Sequence, residues 1–490
     1  MHQITIAPND QTLSAPSGSN LLEVLRAAGL APDAPCGGNG TCGKCKVIID
    51  GQEVLSCQTT VDRDMTVTLK KKAGLNILRT GVALDVNMDP MKEGYLAAFD
   101  IGTTSVVCFL LNGKTGEEIT SASMLNPQTT FGADVISRIQ SALGGTLEQQ
   151  RDVIRGGMTK LIKSVCKDAD ITPEEIGVVS VVGNPCMQQL FLGISPKNLA
   201  GVPFAPVLTQ AKTMPCAEVL SICANAELLI VPDISGYIGA DTMGCVLSTK
   251  MYESDEITLM VDIGTNGEMV LGSKDRMIAC STAAGPALEG ANIHFGMRGT
   301  DGAIDHVWAE EGEIRCSVIG DGEAKGICGS GLIDAIAVLL ELKKLNKRGK
   351  MSSDTEVDGQ KVVYLKDSVY LTQDDIRQVQ MAKGAIYAGI ALMSKQLGIE
   401  IKDIQQVLLA GAFGNYLNPA SACRMGLLPE ELLERIVPVG NAAGSGAKLL
   451  ACDKAVLPLS QSLIERIEFL ELASLPEFSR TFAKSMNFRE

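Results

Sequence analysis

Residues 36 to 45 place three cysteines and four glycines in ten positions, and a fourth cysteine stands at 57. Cys36, Cys42, Cys45 and Cys57 thus carry the spacing C-x5-C-x2-C-x11-C. Four thiolates from one loop and a partner position suit an iron–sulfur cluster. Such a loop must wrap tightly and turn backbone N–H groups toward sulfur. Gly37, Gly38, Gly40 and Gly43 permit that, because glycine takes positive φ and allows close backbone approach. Two rivals stand beside this reading. Structural zinc sites usually pair two short Cys knuckles, and Cys57 has no cysteine near it in the sequence. A thioredoxin-like redox pair would use Cys42 and Cys45 and leave Cys36 and Cys57 idle. The spacing favours a [2Fe–2S] cluster over both.

A second set of chemistry-bearing residues comes in duplicate. "AAFDIGTTSVVCFLL" (97–111) and "LMVDIGTNGEMVLG" (259–272) each run from an apolar strand through Asp-Ile-Gly-Thr into another apolar strand. The aspartates, Asp100 and Asp262, are 162 positions apart, a domain-sized echo that points to two related halves of one α/β fold. In such a turn glycine exposes backbone N–H groups, and threonine adds an N–H and a hydroxyl, which suits phosphate. Gly102, Thr103 and Thr104 are the candidates in the first turn, and Gly264, Thr265 and Asn266 in the second. An aspartate closing the strand can hold Mg²⁺, usually through water. Asp100 and Asp262 are therefore expected to ligate Mg²⁺ and to act in catalysis. Glu268, two past the second turn, joins them as a catalytic candidate whose side chain faces the nucleotide or points away. One hairpin alone reads as readily as a plain tight turn; two in tandem read as a clamp on a nucleoside triphosphate. "QVLLAGAFGNYLNP" (406–419) adds a buried strand ending in small residues, so Gly411, Gly414 and Asn415 are candidates for binding the adenosine of ATP. "IVPVGNAAGSGAKLLA" (436–451) reads as a strand and a glycine-rich helix start, fitting a tight helix crossing or another anion site.

The elements that position these residues follow from composition and pattern. The chain has 490 residues, 46% apolar and 20% charged, enough for two to four domains. Its net charge of −14 argues against nucleic acid or an anionic membrane as partner. No charged-then-apolar leader and no apolar run near 18 residues is present, so a cytoplasmic protein is expected. The other eleven of the fifteen cysteines are scattered and read as small buried residues. Residues 1–72 read as a β-rich unit with one short helix, "NLLEVLRAAG", capped by Asn20. Residues 73–93 read as a linker, 94–255 as the first lobe of an ATPase core and 256–490 as the second.

The first 72 residues resemble [2Fe–2S] ferredoxin domains of the plant and adrenodoxin type, which have a β-grasp fold. The first cysteine gap is one residue longer than the plant pattern, and the last cysteine comes early. Residues 94–490 resemble the acetate and sugar kinase, Hsp70 and actin superfamily. On that resemblance 97–111 and 259–272 are its phosphate motifs, 406–416 its adenosine motif, and "VVGNPCMQQLFLG" and "VGNAAGSGA" its connecting segments. The fusion, with "ISGYIGADTMG", "STAAGPALEGANI" and "GICGSGLIDAI", resembles the ATP-dependent reductive activators of corrinoid proteins. It implies an α+β ferredoxin domain before a two-lobed α/β ATPase with duplicated RNase H-like halves. It also implies a [2Fe–2S] cluster, ATP and Mg²⁺, a corrinoid protein of a methyltransferase system as partner, and an upstream low-potential reductant. A homodimer is compatible with it.

Two departures stand out: the connection between ferredoxin and core is short, and Met187-Gln188-Gln189 stands where a histidine is expected nearby. Other readings remain: a small-molecule kinase with a regulatory ferredoxin, and a nucleotide-switched docking module without turnover. An activator of 2-hydroxyacyl-CoA dehydratases, with a cluster held by the core itself, ranks low, because no suitable cysteine pair follows residue 94. Asn184 is read either as a turn residue or as a group that positions water near the γ-phosphate. Cys328 is read as a packing residue, and His294 and His306 as surface or satisfied core positions.

Overall fold

The structure, a computed structural model, describes residues 1–7, 11–28, 30–32, 34, 38, 40, 45–49, 51–69, 81–82, 94–264 and 266–489. Most of the expected linker thus lies outside the described residues. Of the described residues, those in 1–69 and 94–239, with Leu450–Asp453, form one compact unit; 81–82, Ala240–Leu449 and the chain from Lys454 on form the other.

The N-terminal domain contains β1 (His2–Ala7), β2 (Gln11–Ala15), α1 (Leu21–Ala27), β3 (Lys46–Ile49), β4 (Gln52–Leu55) and β5 (Met65–Thr68). The sheet order is β2-β1-β5-β3-β4, with β1 parallel to β5 and its other pairings antiparallel. Alternation decides which face is buried. Ile4 and Ile6 of β1, Val47 and Ile49 of β3 and Val67 of β5 point inward onto Leu21, Leu22 and Leu25 of α1. A mixed sheet gripping one helix is the expected β-grasp. Asn20 caps α1 as its sequence suggests, its Oδ1 accepting from Leu22 N at 3.0 Å.

The first ATPase lobe contains β6 (Tyr95–Ile101), β7 (Ser105–Asn112), β8 (Glu118–Leu125), α2 (Val135–Ser141), α3 (Leu147–Asp168), β9 (Ile176–Gly183), α4 (Pro185–Leu192), β10 (Lys212–Pro215) and β11 (Glu227–Ile230). Its sheet order is β8-β7-β6-β9-β11-β10. Strands β6 to β8 form an antiparallel meander, and β9 and β11 continue it in parallel from β6. The inner strands are apolar throughout, as strands covered on both faces must be; Leu96, Phe99, Phe109 and Val181 are fully buried.

The second lobe repeats this plan. It contains α5 (Ala240–Thr249), β12 (Thr258–Ile263), β13 (Gly267–Ser273), β14 (Arg276–Thr282), β15 (Ala303–Glu310), β16 (Glu313–Val318), α6 (Gly329–Glu341), α7 (Gln373–Leu397), β17 (Gln406–Ala410), α8 (Gly411–Tyr416), β18 (Ile436–Gly440), α9 (Ala442–Cys452) and β19 (Ile467–Phe469). The main sheet runs β18-β17-β12-β13-β14-β19. Here too a three-stranded meander is extended by two parallel strands from its first member. The distant sequence echo is therefore a repeated sheet. Helix α5, which precedes the expected lobe boundary at 255/256, groups with this unit by its contacts. The physical reason is a backbone-to-backbone crossing with α9: a Cβ on Gly446 would lie 2.2 Å from Gly244 O. Ser248 Oγ also donates to Ala442 O at 2.8 Å. The glycine-rich start of α9 thus serves a tight helix crossing.

At the far end of the second lobe, Lys383 of α7 is buried, and its Nζ donates to Ser485 O and Asn487 O, both at 2.5 Å. Burial, with the nearby Arg489, lowers its ammonium from the usual lysine range to about 7. Between about 7 and the usual lysine value near 10.4 the unfolded chain binds this proton and the folded chain does not, so stability rises with pH there. The cost of burying the charge is present in full below the folded value. Lys383→Met should therefore flatten a slope of at most about 1.4 kcal/mol per pH unit between pH 7 and 9, read from urea midpoints. Equal slopes in the two proteins would refute the assignment.

Candidate functional site

Cys45 and Cys57 are 1% and 8% exposed, facing the ferredoxin core; Cys36 and Cys42 lie outside the described residues. Ser56 N and Ser56 Oγ both donate to Cys45 O at 2.9 Å, which brings the backbone at 45 beside the residue preceding Cys57. Asn20 Nδ2 donates to Cys57 O at 2.8 Å, so the cap of α1 also fixes the fourth cysteine. Gly38 (φ +103°) and Gly40 (φ +76°) take the left-handed conformation expected of a wrapping loop. A Cβ on Gly40 would lie 2.3 Å from Nε2 of Gln58, the residue after Cys57, so a side chain at 40 would displace the Gln58 amide. This glycine-shaped cradle and soft sulfur donors fit a [2Fe–2S] cluster. Among the described residues no three His, Cys, Asp or Glu side chains gather as a metal site.

In the first lobe, Asp100 at the end of β6 pairs with Val107 of β7. Gly102 N donates to Ser105 O at 2.9 Å and tightens the turn, and a Cβ on Gly102 would lie 3.0 Å from that carbonyl. Thr103 Oγ1 accepts from Asn184 Nδ2 at 2.9 Å. Asn184 is the cap of α4, its Oδ1 accepting from Met187 N at 3.0 Å. Asn184 thus caps α4 and holds the turn at Thr103 directly.

In the second lobe, Gly264 N donates to Asn266 O at 2.9 Å; Thr265 lies outside the described residues. Asp262 pairs with Glu268 across β12 and β13, and with Ala410 of β17 on its other side. The residue facing Asp100 across the first hairpin is Val107, and Ile101 pairs with Val106 where Ile263 pairs with Gly267, so the two turns differ by one residue in length as well as in charge. Burial pushes the Glu268 carboxyl well above the usual range, and the negative charges of Asp241 and Asp262 push the same way; a hydrogen bond from Asn266 opposes them. Glu268 thus lies within electrostatic reach of both Asp241 and Asp262. Gly411, at the start of α8, has φ +81°, and a Cβ there would lie 2.4 Å from Asp262 Oδ1. Only glycine lets this backbone lie against the Asp262 carboxylate. Gly414 packs on Leu409, to which a Cβ would approach within 3.1 Å. The side chain of Asn415 lies outside what the structure describes.

Asp241 was not singled out by the sequence reading. It stands in the first turn of α5, where its Oδ1 accepts from Thr242 N at 2.8 Å. An acidic residue following a glycine-rich loop at a helix start is its only local signal, and helix dipoles favour such residues for stability alone. The other singled-out residues are structural. Cys328 Sγ lies 3.3 Å from Ser330 Oγ at the start of α6. His294 stacks on Tyr370 with ring centroids 5.2 Å apart, and His306 Nδ1 lies 3.2 Å from Asp334 Oδ2. Of the scattered cysteines ten are buried, and Cys316 is half-buried.

Comparison with known proteins adds to this geometry. Family models match residues 4–69 as a 2Fe-2S iron-sulfur cluster binding domain, 95–254 as the RACo middle region and 256–490 as the C-terminal ASKHA domain of RACo. The corrinoid activation enzyme RamQ of Eubacterium limosum is 32% identical over 581 aligned positions, covering 98% of each chain. The alignment is longer than this chain's 490 residues, so the relative carries residues that this chain lacks. A Co(II) methylated amine-specific corrinoid protein reductase of Methanosarcina barkeri is 28% identical over 433 positions, or 80% of this chain and 77% of its own. A solved reductive activator for corrinoid, iron-sulfur protein superposes with a TM-score of 0.74 at 26% identity, covering 100% of this chain and 98% of that one.

Proposed function

This chain belongs to the reductive activators of corrinoid proteins, and we propose that it returns a Co(II) corrinoid protein to Co(I) at the expense of ATP, so that methyl transfer resumes. The observation that carries the reading is the union, in one chain, of a ferredoxin-type domain bearing the four-cysteine motif with two Asp-Ile-Gly-Thr hairpins at the matching place in two repeated sheets. The kinase alternative keeps the ferredoxin only as a regulatory addition, whereas a relative named for corrinoid activation aligns over ferredoxin and core together.

Each residue has a distinct task. Cys36, Cys42, Cys45 and Cys57 would hold the cluster, which supplies electrons singly near about −400 mV when bound. The corrinoid cobalt of the partner, the substrate, accepts one electron. Each further 100 mV it demands costs about 2.3 kcal/mol. The chain's own residues must meet that cost through nucleotide. Gly102, Thr103 and Thr104 on one turn and Gly264, Thr265 and Asn266 on the other would cradle phosphate by backbone N–H groups. Asp100 and Asp262 would hold Mg²⁺, with Asp241 contributing negative charge, and Gly411, Gly414 and Asn415 would border the adenosine. Glu268, whose carboxyl keeps its proton above the usual range, would take or give a proton near the γ-phosphate. Binding and loss of nucleotide would open and close the core, and only a difference in affinity for the oxidised partner converts that motion into reduction. A low-potential reductant would recharge the protein. No described helix is long and apolar enough to cross a membrane, which supports the cytoplasm as the setting.

Purified without oxygen, the protein should contain about two iron and two sulfide per chain. Its ATP hydrolysis should accelerate when a Co(II) corrinoid protein is added. Iron-free protein, or hydrolysis indifferent to that partner, would overturn the reading.

A further inference from the structure

A planar trans peptide points its N–H and C=O in opposite directions. A turn that offers N–H groups to an anion in front must therefore find donors for its carbonyls behind. In the first hairpin those donors are two side chains and one backbone N–H. Gly102 O accepts from Asn126 Nδ2 at 2.8 Å, and Thr103 O accepts from Nη2 of Arg138. Thr104 O accepts from Asn126 N at 2.9 Å. The N–H groups of Thr103 and Thr104 are thereby directed to the opposite side. The threonine hydroxyl is set in the same way. Asn184 Oδ1 is committed to Met187 N, so its amide presents Nδ2 to Thr103 Oγ1. That oxygen accepts, and its proton is left to donate.

Arg138 is the centre of this bracket. It is fully buried on α2, with Nε donating to Gly132 O at 3.0 Å and Nη1 to Met187 Sδ at 3.0 Å. Met187 Sδ lies 3.5 Å from Asn126 Nδ2 as well, so this residue of the segment near which a histidine was expected joins two members of the bracket. A fixed guanidinium behind a phosphate turn also supplies positive potential where water does not screen it.

We propose that Arg138 is a positioning residue for the nucleotide, holding with Asn126 and Asn184 the first turn in its phosphate-accepting shape and coupling that turn to α2 and α4. The inference rests on reading 100–105 as a phosphate turn. Nucleotide affinity and the split between KM and kcat, measured on full-length protein carrying its cluster, test it. Arg138→Met should weaken ATP binding about 10- to 100-fold. Arg138→Lys should recover part of the loss, because the charge returns while the fork of donors does not. Asn184→Ala should raise KM about 3- to 10-fold with kcat less affected. Iron content should not change. ATP affinity within about twofold of the parent in folded Arg138→Met would overturn the proposal. If that variant does not fold, Asn184→Ala decides: a KM equal to the parent's overturns it, and a raised KM upholds it. A parent protein that binds no ATP would instead overturn the reading of the turn itself.

Discussion

Gly411→Ala should lower ATP hydrolysis by about 100-fold or more while leaving the iron–sulfur spectrum unchanged. Two effects act together. The residue sits at φ +81°, where any side chain is strained by about 1–3 kcal/mol. Its new Cβ would also stand 2.4 Å from Asp262 Oδ1, so the carboxylate must swing away. A displacement near 1 Å at a catalytic group costs about 100-fold in rate. Asp262→Asn, which keeps the shape and removes the charge, should match it in hydrolysis and outlast it in thermal stability. Turnover within about threefold of the parent in Gly411→Ala would show that the Asp262 carboxylate does not govern the chemistry.

Cys57→Ser should do the reverse. Serine oxygen is a harder, more basic ligand than thiolate, and a cluster losing one of four sulfur ligands is expected to fall out or bind poorly. Corrinoid reduction should drop to background, while ATP binding stays within about twofold of the parent, because the ferredoxin core and the nucleotide lobes are separate clusters of apolar residues. Cys45→Ser should behave alike, with an added stability loss of about 1–3 kcal/mol from placing a hydroxyl in the ferredoxin core. A variant that keeps about two iron atoms per chain and reduces the corrinoid at the parent's rate would remove Cys57 from the ligand set.

These two variants divide the molecule along a line already visible in its sequence. The cysteine spacing and the twin Asp-Ile-Gly-Thr hairpins are local patterns with local causes: a wrapped loop needs glycine, and a phosphate turn needs small residues and donors. Each is written in a few adjacent residues. The repeated sheet was legible for the same reason, since strand, turn and strand recur together. What was not legible is what tertiary packing brings together. Arg138 lies in an ordinary amphipathic stretch, "VISRIQS", and nothing in it announces a partner at Thr103, 35 residues away. Asp241 reads as a helix-start acid until α5 packs on α9 and sets it near Glu268. Gly411 was read toward adenosine, and its approach to Asp262 depends on β17 lying beside β12. The hydrogen bond from Asn184 to Thr103, 81 residues away, is likewise invisible in the sequence. Sequence marks the chemistry; the second layer of residues that aims it emerges only from the fold.

The claim on which the rest depends is that nucleotide makes an otherwise unfavourable electron transfer proceed. It is tested most directly by mixing the pre-reduced protein anaerobically with one equivalent of a Co(II) corrinoid protein and following cobalt spectroscopically, with ATP and without. The account predicts a small extent of Co(I) formation without nucleotide and a large one with it. Equal formation of Co(I) in both would contradict it.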